Sequence, residues 1–176
     1  MKRNILILTF SIYSYLINIL FILLEALPPV LRQIVFKLSL KDLGEGSFID
    51  YKTFFRYPSK ISLGKYVTVN RGCEFFASYL VPGGTIKIGN NVILSPYVKM
   101  YTIGHNPKTK RFDDLAGPIV IEDNVWIGAD SIILPNVTVG EGAVIGAGSV
   151  VTRDIPSKCI AVGIPAKVIK KISKGI

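Results

Sequence analysis

From residue 119 onward the apolar positions recur every six residues. In IVIEDNVWIGADSIILPNVTVGEGAVIGAGSVV, residues 119–151, they are Ile121, Ile127, Ile133, Val139, Ile145 and Val151. A second small or branched residue follows each of these by four: Val125, Ser131, Val137, Ala143, Ser149 and Ile155. Period six is neither the 3.6 of an amphipathic helix nor the alternation of a plain strand. It describes a triangular coil, in which a short strand and a tight turn lead to the next face. The first residue of each hexad points inward. The fifth is small or branched because the interior narrows there. Three hexads close one coil of eighteen residues. Ordinary strands in a sandwich share the Val and Ile content but require no such register.

The register extends upstream with interruptions. Leu43, Ile49 and Phe55 start it, with Ser47 and Thr53 in the companion position. It slips at RYPSK and resumes as Leu63, Val69 and Phe75, with Val67, Cys73 and Tyr79 as companions. A turn insertion, Leu80–Thr85, carries Pro82-Gly83-Gly84. The pattern returns at Ile88, Val92, Leu94, Val98 and Met100, then breaks completely over IGHNPKTKRFDDLAGP, residues 103–118. That segment reads as a loop thrown out of the coil, where a rigid scaffold places its chemistry. Ile155–Pro165 reads as a closing turn. A short basic tail follows, helical or strand-like.

The first forty residues have a different pattern. Ile5–Leu24 is twenty residues without a charge, long enough to cross a hydrocarbon core. Asn4, Ser11, Asn18 and Glu25 recur at seven, with Ser14 beside them, and form one narrow polar seam on a helix. Pro28 and Pro29 end it. Val30–Leu40 mixes apolar residues with Arg32 and Lys37, as a helix lying on a surface does. No small-residue cleavage site follows, which argues against a signal peptide. Three readings stay open: a spanning helix, a helical pair lying in one leaflet, and a helix buried against the coil or a neighbouring subunit. Arg32, Lys37 and Lys41 favour membrane association on the cytoplasmic side of a bacterial inner membrane, peripheral or anchored, over a soluble cytoplasmic protein. The chain thus divides into a hydrophobic, membrane-associated helical segment at 1–42, a coil domain at 43–165 and a basic C-terminal tail at 166–176.

Composition narrows the function. With 176 residues, 49% of them hydrophobic, the chain suits one domain with a full core. The net charge of +9 raises the question of nucleic acid. The basic residues are scattered among turns, and no interleaved aromatics form a stacking platform, so nucleic acid is not the expected partner. A phosphorylated cofactor or lipid headgroups account for the sign. Cys73 and Cys159 lack the number for a disulfide scaffold and the pairing for a zinc site; they read as core thiols. One histidine per chain supplies no three-histidine metal site unless three copies meet on an axis. No metal is expected.

The hexad register and the run WIGADSIILPNVTVGEGAVIGAGSVVTRDIPSKCIAVGIPAKVI resemble the left-handed β-helix (hexapeptide-repeat) acyltransferases. The similarity is closest to the galactoside, maltose and xenobiotic O-acetyltransferases and their surface-polysaccharide relatives. It covers about residues 43–172 and is strongest from Ile86. It implies an all-β fold, a left-handed parallel β-helix with N-terminal hydrophobic helices. It also implies acetyl-CoA as co-substrate, a saccharide acceptor, and a homotrimer with sites between subunits.

Residue roles follow from that resemblance. His105, in GHNP, matches the family's general base. A neutral imidazole, with a pKa of about 6.5 in general, suits that work. Its other ring nitrogen needs an acceptor; a backbone carbonyl is expected ahead of Asp113 and Asp114. Asn70 in VNRGC matches an acceptor-pocket asparagine, and is otherwise a turn residue. Tyr79 and Tyr101 are candidates to stack on a sugar, as is Tyr97; each would equally serve as a surface aromatic. Trp126 precedes an inward Ile127 and so points outward, matching an interface residue that lines the pocket. Ala129 and Ala147 match positions whose backbone N–H groups meet the thioester carbonyl and the pantetheine arm. Thr152 and Arg153 match residues near the adenine and phosphates, and Lys167 and Lys170 stand ready to neutralise phosphate.

The expected function is therefore an O-acetyltransferase acting on a sugar hydroxyl of a bacterial surface glycan or its lipid-linked precursor. The alternatives are N-acetylation of a nucleotide-linked amino sugar and a non-catalytic β-helix assembly module.

Overall fold

The computed structural model describes residues 2–79, 82–105, 109–110 and 113–172, with backbone alone for residues 2–6. Among the described residues two helices, α1 (Lys2–Glu25) and α2 (Pro29–Ser39), precede nineteen short strands. The coil visits three sheets in turn. The first contains β1 (Asp42–Leu43), β4 (Ile61–Leu63), β7 (Ile86–Ile88), β12 (Ile119–Ile121) and β15 (Val137–Val139). The second contains β2 (Phe48–Ile49), β5 (Thr68–Val69), β8 (Ile93–Leu94), β13 (Trp126–Ile127) and β16 (Val144–Ile145), then β18 (Cys159–Gly163) and β19 (Ala166–Lys171). The third contains β3 (Phe54–Arg56), β6 (Glu74–Phe76), β9 (Lys99–Tyr101), β14 (Ile132–Ile133) and β17 (Val150–Val151). A separate hairpin pairs β10 (Ile103–His105) with β11 (Asp114–Ala116). The architecture is the left-handed parallel β-helix that the hexads predict.

Strand register shows where the chain departs from eighteen residues per coil. Ile119 pairs with Val137, a separation of 137 − 119 = 18. Asp42 pairs with Ser62, 62 − 42 = 20, and the short 3-10 turn Pro58–Lys60 takes up the excess. Ile61 pairs with Ile86, 86 − 61 = 25, which accommodates the Leu80–Thr85 insertion. Ile86 pairs with Ile119, 119 − 86 = 33, which accommodates the hairpin. Leu80 and Val81 of that insertion lie outside the described residues. Its approach also changes one sequence assignment. Tyr79 does not occupy a companion slot; it is 60% exposed, and Ala77 is buried instead. The chain has already left the coil at Tyr79.

Inward positions form ladders along the coil axis. Phe55, Phe75, Met100, Ile133 and Val151 lie in register on the third sheet, all fully buried. Phe55 and Phe75 stack at 4.7 Å. Cys73, Ser131 and Ser149 fill the narrow corners. Both cysteines are buried and free, as core thiols. Burial pushes the Cys73 thiol up to about 12.

The closing segment differs from the sequence expectation. Cys159–Gly163 is a strand that pairs in parallel with β16, and the basic tail pairs antiparallel with it as β19. A bare edge on the second sheet would leave a row of unpaired N–H and C=O groups, and the tail covers it.

At the other end α2 caps the first coil through Phe36, which meets Phe55 edge-on at 5.6 Å. Arg32, 2% exposed, lies 3.9 Å above the Tyr51 ring, donates to the Asp50 carbonyl at 3.3 Å and faces Glu25 at 3.6 Å.

Candidate active site

The hairpin β10–β11 carries His105 out from the coil. Its root is rigid. Thr102 is fully buried and donates from both its amide and its Oγ1 to the Phe76 carbonyl. Gly117 donates to the Thr102 carbonyl at 2.9 Å and packs against the Asn136 side chain, which a Cβ would displace. The antiparallel register places His105 opposite Asp114. His105 Nδ1 lies 3.1 Å from Asp114 Oδ1, with the two side chains 66% and 47% exposed. The expected backbone carbonyl gives way to this carboxylate. The reason is the hairpin: cross-strand neighbours on one face meet, and a loop read as structureless offers no such pairing. Asn106, Pro107 and Lys108 lie outside the described residues.

The cofactor candidates fall on two corners of the prism. Ala129 and Ala147 occupy the turns after β13 and β16, between the second and third sheets. These turns touch: Gly148 donates to the Ala129 carbonyl at 2.7 Å. A Cβ on Gly128 would stand 2.5 Å from the Ala147 nitrogen. Small residues are a packing requirement here, and they also leave a slender surface. Thr152 and Arg153, both exposed, follow β17 on the corner between the third and first sheets. The hairpin leaves from that same corner after β9. Lys167 and Lys170 are exposed on β19. Topology therefore separates His105 from Ala129 and Ala147 within one chain.

The acceptor candidates are differently engaged. Asn70 donates its side-chain amide to the Leu94 carbonyl at 2.8 Å, which ties one coil to the next. Tyr101 stacks on Phe76 at 4.9 Å, nearly parallel. Tyr79 meets Tyr57 edge-on at 5.5 Å, with Lys60 Nζ 4.3 Å from its ring centre. Trp126 points outward as expected, is 51% exposed, and donates from Nε1 to Ser95 Oγ at 3.0 Å. Ser95 was not legible as a site residue; its coil-to-coil alignment with Gly128 is the only signal. Among the described residues no cluster of three or more His, Cys, Asp or Glu gathers as a metal site.

Comparison with known proteins places this geometry in a class. Residues 118–153 match the bacterial transferase hexapeptide (six repeats) model. The galactoside O-acetyltransferase of Escherichia coli (strain K12) is 36% identical over 148 residues, 81% of this chain and 69% of that protein. Other curated relatives at 43–46% identity are covered over 56–59% of their length. Among solved structures, a hexapeptide-repeat acetyltransferase from Vibrio cholerae O1 biovar eltor, complexed with acetyl coenzyme A, superposes with a TM-score of 0.82. It is 25% identical and covers 93% of this chain and 89% of that one. A maltose O-acetyltransferase from Clostridium difficile 630 gives 0.80 at 34% identity, over 91% and 86%.

The chain belongs to the hexapeptide-repeat acyltransferase family, related to the galactoside and maltose O-acetyltransferases. Within it, this protein is an acetyl-CoA-dependent acyltransferase.

Proposed function

We propose that this enzyme transfers the acetyl group of acetyl-CoA to a sugar hydroxyl, with His105 as general base and Asp114 as the group that orients it. The observation that carries this reading is the 3.1 Å contact between His105 Nδ1 and Asp114 on a hairpin rooted in the coil. With Nδ1–H donated to the carboxylate, Nε2 is left as the base. His105 Nε2 takes the proton of the acceptor hydroxyl as its oxygen forms the new C–O bond. The backbone N–H of Ala129 faces the carbonyl oxygen as negative charge develops there. The C–S bond then breaks, and His105 returns the proton to the departing thiolate. An acetyl ester and a free thiol result. Acetyl-CoA supplies the activated acetyl as its thioester. The contiguous small turns at Ala129 and Ala147 suit its arm, and Arg153, Lys167 and Lys170 suit its phosphates. Trp126, Asn70, Tyr79 and Tyr101 complete the proposed site, with Thr152 at its adenine end.

Topology supports an assembly of several copies. His105 and the Ala129–Ala147 turns project from different corners of one prism, so a second copy is needed to bring them together. The second sheet supplies an apolar column for the contact: Phe48, Ile93 and Trp126 are each about half exposed and share one register. The first sheet presents Asp42, Ser62, Lys87, Val120 and Thr138 in the equivalent column, a more polar set. A closed homotrimer with three composite sites accounts for both. The exposed apolar residues of the two N-terminal helices support a location at the cytoplasmic face of the inner membrane. There the acceptor would be a surface glycan or its lipid-linked precursor.

The test is thiol release from acetyl-CoA by the full chain, offered a lipid-linked saccharide, free maltose, a free galactoside and a nucleotide-linked amino sugar. Turnover on saccharide hydroxyls, lost in His105→Ala, supports the proposal. Turnover on the amine alone overturns hydroxyl transfer, and wild-type turnover in His105→Ala overturns the base. Light scattering of the active sample reports the trimer, and a monomer mass with full activity removes it.

A further inference from the structure

α1 is joined to the coil along nearly its whole described length. Phe10 lies 5.2 Å from the Arg56 guanidinium. Tyr13 stacks on Tyr57 at 4.6 Å and accepts the Tyr57 amide proton at 2.9 Å. Ile17 is buried, Phe21 meets Phe54 at 5.0 Å, and Leu24 is 2% exposed. Glu25 accepts the Lys52 amide proton at 2.7 Å and faces buried Arg32. These residues form one helical stripe. The opposite face is bare: Leu8, Ile12, Leu16, Ile22 and Leu23 are 51–65% exposed. On α2, Ile34 and Leu38 are also exposed, the latter 82%. Most residues of Ile7–Glu25 are exposed, and the segment has a mean hydropathy of 2.1.

We infer that this bare face lies in the plane of an anionic membrane leaflet, and that α1 does not cross the membrane. Length alone permits crossing. Nineteen residues span about 28 Å, close to a hydrocarbon core of about 30 Å. Crossing would require α1 to peel from the coil. That would expose Phe54, Phe55 and Phe36 and leave the Arg32 guanidinium without its carboxylate, an outcome the interior strongly disfavours. Lying flat keeps every coil contact and covers the bare face. Charge decides between a leaflet and a second copy. Residues 1–41 contain Lys2, Arg3, Arg32, Lys37 and Lys41 against Glu25, 5 − 1 = +4. Packing two such faces together would bring like charge together, whereas anionic headgroups neutralise it. Lys37 and Lys41 are exposed beside the apolar face.

This inference takes up the membrane surface of the proposed function and adds its geometry. Its test contains no acceptor and reads no transfer, so it stands or fails apart from the chemistry. Leu8→Cys, Leu16→Cys and Leu23→Cys are made singly in the full chain; native Cys73 and Cys159 are buried and escape labelling. Nitroxide-labelled protein is mixed with phosphatidylglycerol–phosphatidylethanolamine vesicles, and with phosphatidylcholine as reference. Collision depth should be shallow and alike at all three sites, about 5–10 Å into the headgroup boundary. Partition into the anionic vesicles should fall by about five- to thirtyfold in K37Q/K41Q, which alters two exposed side chains. Leu16 at the bilayer centre with Leu8 and Leu23 at opposite interfaces would overturn the in-plane geometry. Failure to partition, with labels at Leu16 coupled between copies, would assign the face to self-association. Equal partition of K37Q/K41Q would overturn the anionic surface.

Discussion

Asp114→Asn tests whether the carboxylate works through the histidine. The change is nearly isosteric and removes the charge that faces His105 Nδ1 at 3.1 Å. An amide can also present the wrong partner to Nδ1 and so favour the wrong tautomer. A hydrogen bond to an ionised group contributes about 1.5–3 kcal/mol when well sheltered. Here the side chains are 66% and 47% exposed, so solvent screening lowers the figure to about 1–2 kcal/mol. That corresponds to a five- to thirtyfold loss of kcat, well below the roughly 10⁴-fold loss of a buried triad aspartate. KM for acetyl-CoA should stay at the wild-type value. The deciding measurement is a double-mutant cycle on single-turnover rates. If Asp114 acts through His105, Asp114→Asn costs nothing further in a His105→Ala background. Asp113 and Lys110, charged neighbours on the same loop, are varied in parallel as controls. Wild-type kcat in Asp114→Asn, or an undiminished penalty in the double mutant, refutes the reasoning.

Gly128→Ala places a Cβ 2.5 Å from the Ala147 nitrogen, so the two candidate cofactor turns must separate. Affinity for acetyl-CoA should fall by about tenfold, about 1.4 kcal/mol, by calorimetry; unchanged affinity removes these turns from the cofactor site. Phe55→Ala empties a fully buried position between Phe75 and Phe36 and should lower unfolding free energy by about 3–5 kcal/mol in urea titration. A loss under about 1 kcal/mol would show that the site collapses or that the helix–coil junction is not tightly packed. The backbone N–H and side-chain amide of Asn90 hold the Asp123 carboxyl below its usual range. A depressed carboxyl stabilises above its unfolded value of about pH 3.9 and loses that contribution as pH falls through the lower folded value. Asp123→Asn should therefore flatten the acid limb of stability, and an unchanged acid limb would contradict the assignment. Cys73, with its thiol pushed up to about 12, should resist alkylation at pH 8 until the protein unfolds; modification of the native protein would contradict it.

Much of the fold was legible because a coil only one side chain wide repeats its demands. Ile121, Ile127 and Ile133 recur at six since each must point to the same axis, and a neighbour four residues on must fit a corner. Such constraints are local and periodic, so the sequence alone determined the solenoid, the interruption at 103–118 and the outward Trp126. His105 was legible as a candidate for a related reason: it lies near the start of the longest stretch where the period fails. Three features needed the tertiary structure. Asp114 meets His105 only because the excluded loop closes as a hairpin, with a register that the charged segment does not encode. Asn70 is tied to Leu94 because successive coils are offset there by 94 − 69 = 25 residues, a spacing set by the insertion between them. The polar seam of Ser11 and Asn18 suggested a helix with one polar edge and a broad apolar face. Which apolar stripe is covered was decided by Tyr57, Phe54 and Phe55 on the first coil, far along the chain. A helix's periodicity shows that it has faces, but the element packed against it decides which face remains bare.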